Sequence, residues 1–269
     1  MSSDILTLPA PAPDERVPYG SDPAQFGDLR LPAGSGPHPV AVVIHGGFWR
    51  AAYSLEHIGH LCAALTAAGV ATWSLEYRRL GQPGGGWPGT LLDVGQGVDT
   101  LRAIAPGRPL DLERVLAIGH SAGGHLALWV AARPRLPVGS PLHAPSPLPL
   151  RGAVSLAGVA DLRRAWELQL SRGVVEQLLD GTPMAVPERY AAASPFELLP
   201  LGVPQVLIHG TQDENVPYEI SARYLQRARA FDDPVELVTL PNTGHFEVID
   251  PRSHAWPAVL AAVQRLLCR

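Results

Sequence analysis

Lysine is missing from this 269-residue chain, and all 21 of its basic side chains are arginine. Against 25 acidic residues they leave a net charge of −4. No arginines cluster into a basic stripe, which argues against a nucleic-acid surface. Cysteine is almost absent. Cys62 lies in an apolar helical pattern and reads as a buried thiol, Cys268 reads as a tail thiol, and two such residues make no disulfide framework. Long hydrophobic runs are missing too: no stretch approaches the ~20 apolar residues of a membrane helix. The opening MSSDILTLPAPAPDERVPYG has neither the basic start nor the apolar centre of a signal peptide. The expectation is a soluble, cytoplasmic protein without a membrane partner. Aromatic residues make up only 6%, so a large aromatic cage is not indicated.

What is present suits one α/β domain over 1–269. Hydrophobic residues reach 46%, enough for a full core. The 28 prolines and 27 glycines cluster between periodic segments and punctuate them. Residues 1–14 read as a tail, followed by short edge strands at VPYG and AQFGDLRLP. The continuous apolar run at 38–47 reads as a strand buried on both faces, and 70–78, 114–120, 151–158, 204–210 and 235–240 read as further strands. Helical periodicity occupies 54–69, 90–105, 121–133, 218–230 and 253–267. Strands alternating with helices predict a mostly parallel sheet covered on both faces. Residues 159–203 break the rhythm with helical pieces and no strand. They are expected to form an insertion near the ligand-binding edge, as a lid or a pocket wall. The proline-rich 134–150 reads as an ordered loop.

GHSAG at 119–123 sits directly after a strand and directly before a helix. A nucleophile at such a tight turn needs steric clearance two residues to either side, which explains Gly119 and Gly123 around Ser121. A plain helix N-cap would need no flanking glycines. Gly124 reads as letting the helix pack close to a neighbouring strand, and its replacement by alanine is expected to be tolerated. HGGFW at 45–49 follows the first long strand and offers backbone N–H groups to a developing oxyanion. Gly47 and Phe48 are the expected donors, with Ala122 after the nucleophile; Gly46 stays open as an alternative. His45 reads as a brace for this loop.

A serine needs a base, and the base needs an orienting carboxylate. Asp213 follows the strand PQVLIHG and His245 follows VELVTL, so both fall in loops at the same sheet edge as Ser121, in the order serine, acid, histidine. Glu214 would point elsewhere, Asp250 follows His245 against that order, and His209 and His125 read as buried structural residues. His57 and His60 lack a carboxylate at ligand spacing, so neither a metal nor another cofactor is expected. GQPGGGWPG at 81–89 lacks the Gly-Lys-Ser/Thr ending of a phosphate loop and reads as a rim anchored by Trp87. Phe48 and Trp49 read equally as pocket wall or core. Trp49, Trp87 and His120 are the pocket-lining candidates.

HGGFW, GHSAGGHLA, HGTQDENVP and the late GH at 244–245 together resemble the α/β-hydrolase superfamily. Within it they resemble small carboxylesterases and kynurenine formamidase-like hydrolases; EYRR (76–79) and GGGWPGTLLDV (84–94) are similar too, and the resemblance covers about 17–268. It implies an α/β-hydrolase fold with Ser121, Asp213 and His245 as a triad. It also implies hydrolysis of small carboxylic esters through an acyl-enzyme, with arylformamide hydrolysis as the alternative. Phe48 stands where many formamidases carry tyrosine. A catalytically inert small-molecule receptor on the same fold is the reading from outside enzymes; the presence of all three triad candidates argues against it.

Overall fold

The computed structural model of the chain describes residues 3–268. Eight strands form one sheet: β1 (Glu15–Pro18), β2 (Phe26–Arg30), β3 (His38–Ile44), β4 (Ala71–Leu75), β5 (Leu110–His120), β6 (Ala153–Leu156), β7 (Gln205–Gly210) and β8 (Val235–Leu240). Their spatial order is β1-β2-β4-β3-β5-β6-β7-β8. The pairs β1–β2 and β2–β4 are antiparallel, and every pair from β4 through β3 to β8 is parallel. The apolar runs dictate this arrangement, because parallel strands joined by helical crossovers lose both faces to solvent-free packing. Along β3, Val40, Val42 and Ile44 enter one core and Ala41 and Val43 the other, all fully buried.

The helices are α1 (Gly59–Ala67), α2 (Gly89–Asp99), α3 (Leu101–Ile104), α4 (Ala122–Ala132), α5 (Leu162–Glu167), α6 (Leu170–Leu179), α7 (Pro187–Ala193), α8 (Pro195–Leu198), α9 (Glu219–Arg229) and α10 (Trp256–Leu267). Residues of α1 and α10 pack on one face of the sheet, and those of α2, α4 and α9 on the other. Every residue of α4 is buried, so the helix behind Ser121 is apolar all round. Among the described residues no helix is long and apolar enough to cross a membrane.

The strand–helix alternation is as expected, with three differences in detail. β5 begins at Leu110 rather than 114, because its first residues pair with His38 and Pro39 before a register shift ahead of Val40. The helix expected at 54–69 opens with a 3-10 turn at Leu55–Ile58, and that expected at 90–105 divides into α2 and α3. The expected tail is anchored, since Ile5 is 1% exposed and packs into the core beside Ile58 and Leu61. The loop at 134–150 is tied down as well: Leu142 and Leu148 are buried, and Leu148 N–H donates to Asp99 at 2.7 Å.

The insertion is helical, comprising α5 to α8. Asp161 caps α5 by accepting from Arg164 N–H at 3.0 Å, an interaction worth about 1 kcal/mol. Backbone carbonyls of the insertion take ring N–H groups from α4: His125 Nε2–H donates to Ala193 at 2.9 Å and Trp129 Nε1–H to Ala192 at 3.0 Å. On its other side, Arg50 donates to Ser171 O at 2.9 Å and to Gln177 Oε1 at 3.1 Å.

Candidate active site

The parallel strands end along one edge, and the candidate residues follow their last positions. Ser121 comes directly after β5, the HGGFW loop directly after β3, Asp213 three residues after β7 and His245 five residues after β8.

Ser121 holds φ 56° and ψ −117°, a backbone conformation that costs about 1–3 kcal/mol. The surroundings enforce it. Ser121 N–H donates to Leu156 O at 2.8 Å, and its carbonyl accepts from His125 at 3.1 Å and Val159 at 3.3 Å. A Cβ at Gly119 would strike the Gly123 carbonyl, and one at Gly123 would strike the carbonyls of Ile44 and His45. The turn is therefore closed to side chains on both flanks of the serine. Gly124 departs from expectation. It does bring α4 against the chain after β6, but a Cβ there would lie 2.8 Å from both Gly158 Cα and Ser155 Oγ, so alanine is not accommodated without movement.

His245 Nδ1 lies 2.7 Å from Asp213 Oδ2. The carboxylate accepts, so the proton sits on Nδ1 and leaves Nε2 bare. Oδ1 of Asp213 accepts from the N–H groups of Asn215 at 2.9 Å and Val216 at 2.8 Å. His209, read from sequence as a structural residue, supports the same group. Its Nε2–H is shared between Val216 O at 2.9 Å and Asp213 Oδ2 at 3.3 Å, while Nδ1 accepts from Ser221 at 2.7 Å. Burial works to raise the Asp213 pKa, but the hydrogen bonds from His209 and His245 outweigh it and hold the carboxyl far below the usual range. Of the rivals, Glu214 is exposed and Asp250 is paired with Arg252 at 2.7 Å. A polar cleft of about 820 Å³ opens beside Asp213 and His245, bordered by Gln212, Asn215 and Phe246.

Gly47, Phe48 and Trp49 have φ values of 106°, 50° and 55°, a left-handed run that turns the backbone sharply at the end of β3. No acceptor among the described residues takes the N–H of Gly47, Phe48 or Ala122. Gly46 serves clearance instead, since a Cβ there would lie 2.8 Å from His120 O and 3.0 Å from Ser121 Cβ. His45 braces the loop, with Nε2 2.9 Å from Glu76 and Nδ1 2.8 Å from Gly46 O, and its ring stacks on Tyr77 at 4.4 Å. The carboxylate of Glu76 also accepts from the N–H groups of Leu55 and Tyr77. Sequence reasoning did not single out Glu76 as this support, although EYRR directly after β4 was its signal.

None of the three pocket-lining candidates lines the cleft beside Asp213 and His245. Trp49 is fully buried and packs edge-on against His125 at 5.2 Å; it is core, and no surface remains for a ligand. His120 is 1% exposed and is likewise no pocket wall, because its ring is consumed by contact with the His245 loop. Trp87 lines a separate apolar cleft of about 460 Å³ with Leu136, Pro137 and Ala192, beside α7. His57 lies between His45 and His120, at ring distances of 5.8 and 6.4 Å, and burial pushes its pKa down to about 3. Among the described residues no group of three or more His, Cys, Asp and Glu side chains forms a metal cradle.

A family model described as BD-FAE matches residues 28–227. Esterase LipC of Mycobacterium tuberculosis is 30% identical across 93% of the chain. A probable carboxylic ester hydrolase of the same organism, LipM, is 26% identical across 87%. The chain spans 65% and 54% of the length of these two relatives. Among solved structures, an inhibited esterase B from Lactobacillus rhamnosis superposes with a TM-score of 0.80 at 22% identity, covering 96% of this chain and 88% of that one.

Proposed function

The chain belongs to the BD-FAE family and has the α/β-hydrolase fold, and from that premise we propose that it is a serine hydrolase of small carboxylic esters. Ser121 Oγ attacks the ester carbonyl, and Nε2 of His245 takes its proton. Asp213 fixes the imidazole in the tautomer that leaves Nε2 free and stabilises the imidazolium that forms. The tetrahedral oxyanion is held by the N–H groups of Gly47, Phe48 and Ala122, each worth about 3 kcal/mol in the transition state. His245 returns the proton to the departing alcohol, and water then releases the acyl group from Ser121 by the same steps in reverse roles.

The observation that carries this reading is the strained Ser121 at the head of α4, on the same sheet edge as the Asp213–His245 pair. The esterase names of LipC and LipM support ester cleavage as the activity. Neither the geometry nor these relatives favours the formamide alternative. Turnover of p-nitrophenyl acetate tests the proposal: Ser121→Ala should lose on the order of 10⁴ or more in kcat. Wild-type turnover by that variant would exclude Ser121 as the nucleophile.

A further inference from the structure

Ser121 and His245 arrive from different strands, and their loops must be held in register for Oγ and Nε2 to meet. Asp213 does not provide this. It orients the ring of His245 from the β7 side, and the bond from Gln212 N–H to Thr243 O at 2.9 Å likewise joins the β7 and β8 loops to each other. Among the described residues, one hydrogen bond joins the residues around Ser121 (116–124) to the loop of His245 (241–250). It runs from His120 Nε2 to His245 O at 2.9 Å.

The bond is unusually direct. His120 is the residue preceding Ser121, so donor and nucleophile share a peptide link, while the acceptor is the main chain of the base itself. The rings of His120 and His245 also touch, with centroids 4.5 Å apart and planes inclined by 48°. Phe246 closes the contact from the side, 5.9 Å from His120 and 5.1 Å from His245. Because the acceptor is a carbonyl, the proton of His120 is fixed on Nε2. Its Nδ1 is buried without a partner, a cost of about 1–3 kcal/mol by itself. A phenylalanine would fill the same space and avoid that cost, but it could not donate to His245 O. Burial, together with the neighbouring His245 and His57 rings, pushes the His120 pKa well down and keeps the ring neutral.

We infer that His120 is a positioning residue, which holds the backbone of His245 at the distance from Ser121 that proton transfer requires. The inference rests on the reading of Ser121 and His245 as nucleophile and base. It predicts that His120→Phe lowers kcat for p-nitrophenyl acetate by about 10- to 100-fold with KM little changed, since small misplacements of reacting groups cost that much. His120→Gln, whose terminal amide reaches the place of Nε2, should restore kcat to within a few-fold of the wild type. His120→Asn, whose amide is too short, should not. This reach dependence separates positioning from packing, and the Gln/Asn comparison stands even where His120→Phe fails to fold. Wild-type kcat in His120→Phe or His120→Asn, or failure of His120→Gln to exceed His120→Asn, overturns the inference. Ser121→Ala is run beside them: its inactivity upholds the nucleophile reading independently, and full activity of that variant overturns both.

Discussion

His245 Nδ1 and Asp213 Oδ2 are 2.7 Å apart, and the Asp213 carboxylate, set between His245 and His209, is held from several directions. Two backbone N–H groups grip Oδ1 while two imidazoles face Oδ2. Such a carboxylate cannot rotate away from the histidine or take up a proton readily. This relationship carries the first test. Asp213→Asn keeps the shape but offers an amide N–H where an acceptor is needed, which favours the wrong tautomer of His245. The kcat for p-nitrophenyl acetate should fall by on the order of 10³–10⁴ with the fold intact. Near-normal turnover in that variant would remove Asp213 from the mechanism.

The three glycines around the serine should differ in severity. Gly119→Ala and Gly123→Ala place a methyl on backbone carbonyls and should prevent formation of the native elbow. At Gly124 the nearest atoms are 2.8 Å away, so Gly124→Ala should fold with a loss of about 1–3 kcal/mol. Thermal unfolding checks this, since about 1 kcal/mol lowers Tm by roughly 2–4 °C in a chain of this size. An unchanged Tm for Gly124→Ala would show that α4 has room to shift.

Acid should weaken the fold through its buried histidines. Burial lowers the pKa of His57 to about 3 and that of His125 to about 4, and places His120 well below its ordinary value. In the unfolded chain these groups take up protons near pH 6.5, whereas the folded chain resists until the lowered values are reached. The unfolded state thus binds more protons over that interval, and stability falls as the pH falls from about 6.5 towards 4. Each group contributes up to about 1.4 kcal/mol per pH unit. Urea midpoints at pH 7.5, 6 and 5 measure the effect. Equal midpoints would mean that the three rings are charged or solvated in the native state.

Arg50 joins the HGGFW loop to the insertion through Ser171 and Gln177. Phe48 and Trp49 just before it are left-handed without being glycine, so the turn depends on being held. Arg50→Ala should reduce kcat/KM by about 10-fold, roughly the value of one charge-assisted hydrogen bond, and should increase amide exchange in 47–50 and 169–177 together. Exchange that rises in only one segment would show that the two are uncoupled.

The middle of the sheet is legible in the sequence because strands buried on both faces read as apolar runs, as in VAVVI of β3 and VLI of β7. The start of β5 is not, because Leu110–Glu113 is mixed in polarity and joins the sheet only through a shifted register. Ser121, Asp213 and His245 are legible as candidates at one sheet edge because each follows the end of a parallel strand. His120 is not: a histidine before the serine has the same local sequence whether its ring faces a pocket or a neighbouring loop, and the fold of the His245 loop decides which. Trp49 is ambiguous for the same reason, since the left-handed turn at 47–49 sends its ring into the core beside His125.

Active-site labelling tests the central claim most directly. Diethyl p-nitrophenyl phosphate should release about one p-nitrophenolate per chain as ester hydrolysis is lost in step, and peptide mapping should place the diethyl phosphate on Ser121. Ser121→Ala should take up no label. Ester turnover that persists in the fully labelled protein, or a label at any other residue, would contradict Ser121 as the nucleophile.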